Sequence, residues 1–599
     1  MKENPVTHPP RHALQAVLFD MDGTLVDTEE LWWEAVAEVA AGLGHELGDA
    51  DVAEVLGRAV EHTAAHLAAT TGTATGAGEL AAVLHREFAE RVRVRTVPRP
   101  GALDLLDELA RQGIPIALVS ASPREVVDTV LGVLGRERFA VSFSADDTPR
   151  TKPAPDPYLA AARALGADPG GCVAVEDTPT GVASAEAAGC RVLAVPSLAP
   201  IGPGAGRMVL ASLERADVPL LRALVGRPPS FLVPAFTSRR ARVGEPVRVT
   251  VAGLLRDAPS VAYAKAAGPG WARVSSDGSV TGTPDEPGDA EVAVTATDAA
   301  GRFATVTVRV PVGGADEPMV RRLRVMSWNL WLGGSRVDDH RDKQLRVLLD
   351  ADVDVVGLQE TWTHSARELA EALGWDHHQA GDNLGVISRY PIVPRHGVPA
   401  APFYGGLGAT VRLDEGRDVT LWSAHLGCTP YGPYGALHDR QPVEELVAHE
   451  AASGRLGQIR GILRDMAADL AARDTTPVVL VGDFNAPSHL DWTAEAAPLH
   501  GGYGAVPWPV TLATEAAGLR DSYREAHPDP VRDPGATWSP VNPVPEPQDR
   551  IDYVLYAGQA LRVLDSTTLV TGKPLPEPHV AANDWPSDHA AVVTTFAVS

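Results

Sequence analysis

Twice in this chain a run of four apolar residues leads straight into a turn that carries aspartate. Ala16-Val17-Leu18-Phe19 is followed by Asp20-Met21-Asp22-Gly23-Thr24, and Val478-Val479-Leu480-Val481 by Gly482-Asp483-Phe484-Asn485. A short, unbroken apolar run bounded by a turn reads as a strand buried on both faces, and such strands belong to sheets covered by helices. Open α/β sheets bind ligands at the carboxyl ends of their strands, where both aspartate turns fall. The two signatures lie at opposite ends of 599 residues, which predicts two sheets with two separate acidic edges.

Length alone suggests about four domains, and the pattern along the chain resolves three segments. Residues 1–225 alternate apolar runs with helical patterns. They predict a parallel sheet built from Ala16–Phe19, Ile116–Ser120, Val141–Ser144, Cys172–Val175 and Val192–Val195. The Ala/Glu/Leu-rich stretch at about 29–95 reads as a helical insertion outside that sheet. Residues 229–312 are rich in Val, Thr, Gly and Pro, with period-2 segments such as Val247–Val251 and Ala304–Val308 separated by tight turns. That pattern predicts a small all-β sandwich. It loosely resembles the immunoglobulin-like modules of bacterial multidomain proteins. It holds no titratable cluster. Residues 320–599 contain many strands, few helices and most of the tryptophans, predicting a two-sheet α/β sandwich.

In the first segment, Asp20 and Asp22 lie two residues apart, so one tight loop can aim both carboxylates at one point. The free N–H groups of such a loop can hold a phosphoryl oxygen. Ser120, Lys152 and Glu176-Asp177 fall at equivalent strand ends. Together they supply a nucleophile, an acid–base group, a hydroxyl, a cation and two metal carboxylates, a complete set for phosphoryl transfer. These four motifs, with Asp27-Thr28-Glu29, Arg99-Pro100-Gly101, Lys152-Pro153 and Glu176-Asp177-Thr178, resemble the haloacid dehalogenase superfamily, specifically its β-phosphoglucomutase-like phosphatases. The resemblance implies a Rossmann-like core with a helical cap. It implies Asp20 as nucleophile, Asp22 as general acid/base, and Ser120 and Lys152 on the phosphoryl group. Mg²⁺ would be held by Asp20, Glu176 and Asp177, with Asp22 adding its backbone carbonyl. Gly57-Arg58 in the cap is a candidate for substrate choice. Phosphatase and phosphomutase share this apparatus; hydrolysis is the expected outcome.

In the last segment, six islands fall at strand ends: Trp328-Asn329, Gln359-Glu360, Ser423–Leu426, Gly482–Asn485, Arg550–Tyr553 and Ser587-Asp588-His589. Carboxylates and amides suit a hard cation such as Mg²⁺, and His is an acid or base near neutral pH. The islands, in this order, resemble the endonuclease/exonuclease/phosphatase superfamily, which implies a four-layer α/β sandwich. By that resemblance Glu360 is the main metal ligand, assisted by Asn329 and Asp588. Asp483 orients or deprotonates the attacking water and Asn485 holds a phosphate oxygen. His589 contacts the phosphate or acts as base, with Asp552 fixing its tautomer, and His425 protonates the leaving oxygen. His425 places the chain nearer the deoxyribonuclease I, sphingomyelinase and phosphatase branches than the repair endonucleases. The loop Cys428–Tyr434 after it serves either to stack a substrate ring or to pack its tyrosines. Trp362, Trp492 and Trp538 read as core or rim aromatics.

Composition narrows the partners. Net charge is −25, so a broad basic footprint for nucleic acid is absent at whole-chain level. Small phosphorylated metabolites held by a bound cation are favoured over nucleic acid. Cys172, Cys190 and Cys428 form no C-x-x-C pair and read as buried, reduced thiols. No signal-like apolar core opens the sequence and no run of about 18 apolar residues occurs, so a cytoplasmic protein without a membrane span is expected. The composite expectation is a bifunctional phosphohydrolase with one Mg²⁺ per catalytic domain, replaceable by Mn²⁺, whose two sites act in sequence. A nuclease fused to an independent phosphatase or phosphomutase is the alternative. A binding or scaffold protein with one inactive module is a third, and it predicts a missing catalytic residue; none is missing.

Overall fold

The computed structural model describes residues 13–55, 60–197, 199–257, 260–362, 364–396, 404–544 and 546–599. Gly57 and Arg58 of the cap lie outside them. The chain forms two compact units. The first runs to Ser230 and takes in short stretches at 257–262 and 297–304; the second comprises the rest.

The first unit is built on β1 (Ala16–Phe19), β2 (Ile116–Val119), β3 (Val141–Phe143), β4 (Cys172–Glu176), β5 (Arg191–Ala194) and β6 (Arg207–Val209). They form one parallel sheet in the order β3-β2-β1-β4-β5-β6. Alternate residues of the central strands feed two separate cores. Val17, Phe19, Ile116, Leu118, Val173 and Val175 join one, while Ala16, Leu18, Ala117, Val119, Cys172 and Ala174 join the other. Burial on both faces explains why these strands read as unbroken apolar runs. The strand order reverses direction between β1 and β4, and ligands of such sheets bind at that switch point.

Helices Glu29–Gly42, Asp49–Val55, Val60–Thr71 and Ala77–Arg95 form the insertion after β1. Trp32 pins it, donating through Nε1 to Val55 O at 2.9 Å and meeting Phe88 edge-on at 5.4 Å. β6 escaped the sequence reading because its three residues are only half-buried.

The second unit carries two six-stranded mixed sheets. Its strands are β7 (Arg322–Asn329), β8 (Val355–Gln359), β9 (Asp376–Ala380), β10 (Leu384–Ser388), β11 (Ile392–His396), β12 (Gly405–Asp414), β13 (Arg417–His425), β14 (Val478–Asp483), β15 (Arg520–Asp521), β16 (Asp552–Ala557), β17 (Leu561–Leu569) and β18 (Ala591–Val598). One sheet runs β9-β10-β8-β7-β18-β17, the other β11-β12-β13-β14-β16-β15. Leu323, Val325, Val355, Val479, Val481 and Val554 are among the residues filling the space between them. Gly357 marks their close approach: a Cβ there would lie 2.1 Å from Val481 Cγ2. Helix Arg455–Asp465 covers the outer face of the second sheet through Ile459 and Ile462. Helices His340–Asp350 and Ser365–Leu373 cover the outer face of the first.

The middle of the chain is β-rich, as its period-2 pattern predicts. A three-stranded sheet (Val247–Thr250, Ser279–Gly282, Arg273–Val274) faces a five-stranded one that includes Gly288–Asp298 and Phe303–Gly313. Its apolar side does not close on itself alone. Val292, Val294, Val308 and Val310 share one continuous core with Leu345, Leu348, Leu369 and Leu373 of the two helices on the first sheet. Among the described residues no helix is long and apolar enough to cross a membrane.

Candidate active sites

At the end of β1 the backbone N–H of Asp20 donates to Val175 O of β4 at 2.9 Å, which brings Asp20 beside Glu176 and Asp177. Carboxylate oxygens of the three lie within 4.8 Å of one another, all buried. Lys152 Nζ bridges Asp20 at 2.5 Å and Glu176 at 2.6 Å with its side chain only 4% exposed. Tyr158 OH donates to Glu176 Oε1 at 2.5 Å. Burial works against the Lys152 charge, but Asp20 and Glu176 carry its pKa above the ordinary value.

Asp22 stands apart from this cluster in its bonding. Its carboxylate accepts from Thr28 Oγ1 at 2.7 Å, Ser122 Oγ at 2.7 Å and Ser120 Oγ at 3.2 Å. Burial first, and Asp20 second, push its pKa up, while the three hydroxyls pull it back. The loop thus pairs a carboxylate ion-paired with Lys152 and, two residues on, one held among hydroxyls with its pKa raised.

The chemistry of the donor set suits a divalent cation. Three buried carboxylates face a single lysine, and burial with Asp20 and Glu176 pushes Asp177 up to about 9. Backbone space is cleared for them: a Cβ on Gly23 would lie 2.1 Å from Asp177 Oδ2, and one on Gly181 1.9 Å from Glu176 Oε2.

The second site forms where the ends of β7, β8, β13 and β14 meet the starts of β10, β16 and β18. Asn329 Nδ2 donates to Asp483 Oδ2 at 3.0 Å and to Glu360 Oε1 at 3.3 Å. The other Glu360 oxygen accepts from Leu332 N at 2.8 Å. Asn485 N donates to Asp483 Oδ1 at 2.8 Å, and its side-chain amide reaches Leu426 O at 3.0 Å and His425 Nε2 at 3.3 Å. His589 Nδ1 meets Asp552 Oδ2 at 2.9 Å, leaving Nε2 3.7 Å from Asp483 Oδ2. Asp552, His589 and Asp483 therefore form a line, with the imidazole fixed between two buried carboxylates.

Charge is distributed unevenly along that line. Burial opposes the His589 cation, yet Asp552 and Asp483 raise its pKa well above the ordinary value. Burial lifts Asp483 to about 7 against the pull of His589. Burial and the His589 charge hold His425 down at about 3, a neutral imidazole at physiological pH. Asp588 is lifted to about 6 by burial, with His589 opposing and Glu360 adding to the rise. Its Oδ1 is buried with no hydrogen-bond partner among the described residues. The His589 imidazole lies 3.9 Å from that oxygen, and the oxygens of Asp588 and Glu360 with the Asn329 amide are a donor set that suits a hard cation.

Residues 14–189 match the haloacid dehalogenase-like hydrolase family, and residues 326–589 match the endonuclease/exonuclease/phosphatase family. The chain thus carries a haloacid dehalogenase-like hydrolase domain and an endonuclease/exonuclease/phosphatase domain. Hexitol phosphatase B of Escherichia coli strain K12 is 33% identical over 224 residues, covering 36% of this chain and 96% of that protein. An uncharacterized protein of Caenorhabditis elegans is 34% identical over 292 residues, covering 46% of this chain and 91% of its own. The crystal structure of CbbY from Rhodobacter sphaeroides in complex with phosphate shares 29% identity over 34% of this chain and 95% of its own, with a TM-score of 0.31. Both families hydrolyse phosphoric esters, so the protein is a two-domain phosphohydrolase.

The haloacid dehalogenase-like domain brings together Asp20, Asp22, Ser120, Lys152, Glu176 and Asp177, each predicted from sequence. The endonuclease/exonuclease/phosphatase domain brings together Asn329, Glu360, His425, Asp483, Asn485, Asp552, Asp588 and His589. The sequence reading missed Thr28, Ser122 and Tyr158 in the first site. It missed Asn383 in the second, where Oδ1 accepts from Glu360 N at 3.0 Å and lies 3.0 Å from His425 Nδ1.

Other readings change. Tyr431 is buried, donates to Asp549 Oδ2 at 3.0 Å and packs edge-on against Tyr434 and Trp538, so its loop is pinned by packing rather than free to stack a substrate. Trp492 is fully buried, Trp538 half-buried and Trp362 47% exposed. Cys428 is exposed, unlike Cys172 and Cys190, because it sits at the crest of this turn-rich loop.

Proposed function

We propose that the N-terminal domain hydrolyses a small, sugar-phosphate-like monoester through an aspartyl-phosphate on Asp20. The C-terminal domain hydrolyses a phosphodiester or monoester by direct water attack. The observation that carries the first reading is the split between the two aspartates: Asp20 lies against the Lys152 ammonium, whereas Asp22 sits among three hydroxyls with a raised pKa. An Asp20 oxygen attacks phosphorus as the ester oxygen leaves, and Asp22 gives that oxygen its proton. Asp22 then takes a proton from the water that attacks the acyl-phosphate and frees Asp20. Lys152 and Ser120 hold the phosphoryl oxygens. The name of the hexitol phosphatases supports a polyol or sugar phosphate as substrate.

In the second site the Asp552–His589–Asp483 line carries the reading. Asp483, lifted to about 7, accepts a proton from the attacking water, and the His589 cation stabilises the phosphate. His425 is the sequence-based candidate for protonating the leaving oxygen; its pKa is held down at about 3 while that of His589 is raised, so we assign the proton donation to His589. Asn485 holds a phosphate oxygen. A divalent cation, Mg²⁺ by the oxygen-rich ligand set, would be held by Asp20, Glu176 and Asp177 in one site and by Glu360, Asn329 and Asp588 in the other. It supplies charge neutralisation at the transferring phosphate.

The test compares wild type, Asp20→Asn and Asp483→Asn on p-nitrophenyl phosphate and bis(p-nitrophenyl) phosphate, with Mg²⁺ and with chelator. Asp20→Asn should abolish the N-terminal domain's hydrolysis of p-nitrophenyl phosphate and spare diesterase activity. Asp483→Asn should do the reverse, each by about a thousandfold or more. Full activity in chelator would overturn both mechanisms. We further propose that the sites act in series: the C-terminal site hydrolyses a diester, and the monoester it releases is the substrate of the N-terminal site. Asp20→Asn should then accumulate a monoester when given a diester metabolite.

A further inference from the structure

The β-rich middle contains no catalytic cluster, yet it lies on the two helices that follow the metal-side residues of the C-terminal site. Asn329 ends β7, and the next helix is His340–Asp350; Glu360 follows β8, and the next helix is Ser365–Leu373. Arg256 of the middle region donates through Nε to both carboxylate oxygens of Asp342, each at 2.8 Å, in the first turn of one helix. Arg346 of the same helix donates to Leu232 O at 3.3 Å. Gly253 lies so close to the other helix that a Cβ there would be 2.3 Å from Ala372 O.

From these helices a line of hydrogen bonds runs to the site. Gln344 Nε2 donates to Gly333 O at 3.1 Å, Gly333 N to Glu360 O at 2.7 Å and Leu332 N to Glu360 Oε2 at 2.8 Å. Ser365 N donates to Thr361 O at 3.0 Å. The loops so tied are conformationally costly: Trp331, Leu332 and Glu360 have φ of 52°, 54° and 52°. Bulky side chains in left-handed backbone persist only where the surroundings over-determine them.

We propose that the β-rich middle region is a positioning element of the C-terminal catalytic edge. By clamping helices His340–Asp350 and Ser365–Leu373 it holds the strained loops that present Asn329 and Glu360. The inference rests on the phosphohydrolase reading of that site. Two changes in the full chain weaken the clamp without touching the site: Gly253→Ala wedges the middle region off Ala372, and Arg256→Lys removes the forked bond to Asp342. Both should lower kcat on bis(p-nitrophenyl) phosphate by roughly tenfold or more, since a displacement of about 1 Å can cost a hundredfold. KM should stay within about twofold, and hydrolysis of p-nitrophenyl phosphate by the N-terminal domain should be unchanged. Hydrogen exchange at 331–334 and 360–362 should quicken in both. Folded variants with unchanged kcat and unchanged exchange would overturn the proposal, and Arg256→Lys, which keeps charge and bulk, decides it if Gly253→Ala does not fold. If wild type and Asp483→Asn hydrolyse the diester alike, the functional reading fails, while the exchange measurement still decides this one.

Discussion

Asp549 shows how this protein uses a buried carboxylate for packing alone. It is 3% exposed and accepts from Trp492 Nε1 at 2.8 Å and Tyr431 OH at 3.0 Å. Burial lifts its pKa to about 6 even though both donors favour the anion. The folded state therefore binds this proton more tightly than the unfolded chain. The resulting stabilisation is complete below the unfolded value near 4 and disappears as pH rises through about 6. At roughly 1.4 kcal/mol per unit it amounts to on the order of 3 kcal/mol. Asn at this position keeps Oδ1 as the acceptor for Trp492 Nε1, can donate its amide to the Tyr431 hydroxyl oxygen, and has no charge to bury. Asp549→Asn should therefore be near neutral at about pH 4 and stabilising by roughly 1–3 kcal/mol at about pH 8, measured by urea unfolding. An equal effect at both pH values would show that Asp549 is not protonated by burial.

Between elements, the sites depend on backbone cleared of side chains. Gly23 has φ of 77° and Gly181 opens the helix after β4; a Cβ on either would run into the metal-side carboxylates. Gly23→Ala and Gly181→Ala should each cut monoesterase activity by about a hundredfold or more. Gly132→Ala, in the helix Arg124–Leu134 with nothing within 4 Å of its Cβ, should instead stabilise by about 1 kcal/mol. Thermal melts and p-nitrophenyl phosphate assays on the three variants separate the effects, and an active Gly181→Ala would refute the close-packing argument.

The same level explains what could be read from sequence. β1, β4, β8 and β14 were legible because burial on both faces leaves a short run without charged residues that leads into a functional residue. β9 and β17 were not, since strands such as Asp376–Ala380, with every residue half-buried, give no such signal; β12, though largely buried, begins Gly-Gly-Leu-Gly and lacks an unbroken apolar run. Asn383 escaped for a geometric reason. Its position precedes a strand that carries no motif: β10 is antiparallel to β8, and its first residue, Leu384, pairs with Gln359. Its leading loop thus arrives at the same edge. Thr28 sits inside the Asp27-Thr28-Glu29 word and Ser122 two residues past Ser120, yet which hydroxyls reach Asp22 depends on loop geometry that spacing does not encode.

At the scale of the whole chain, two phosphate sites are carried by a protein of net charge −25. A small phosphate ester approaches a like-charged surface, and its binding rests on locally held cations: Lys152, the His589 imidazolium and divalent metal. Salt screens the long-range repulsion over about 10 Å at 0.1 M, while buried contacts are screened far less. For a small diester, kcat/KM at fixed saturating Mg²⁺ should hold steady or rise modestly as NaCl increases from about 50 to 200 mM. A nucleic-acid substrate gripped through its backbone behaves in the opposite way, because each neutralised phosphate releases counterions. Six to ten such contacts cost about 10³–10⁵ in affinity across the same range. The measurement needs only plasmid DNA and bis(p-nitrophenyl) phosphate assayed side by side with wild type and Asp483→Asn. Plasmid nicking that depends on Asp483 and collapses steeply with salt would move the C-terminal site into the nuclease class. A flat or rising profile, confined to the small diester, fits a pair of sites built to strip phosphate from metabolites.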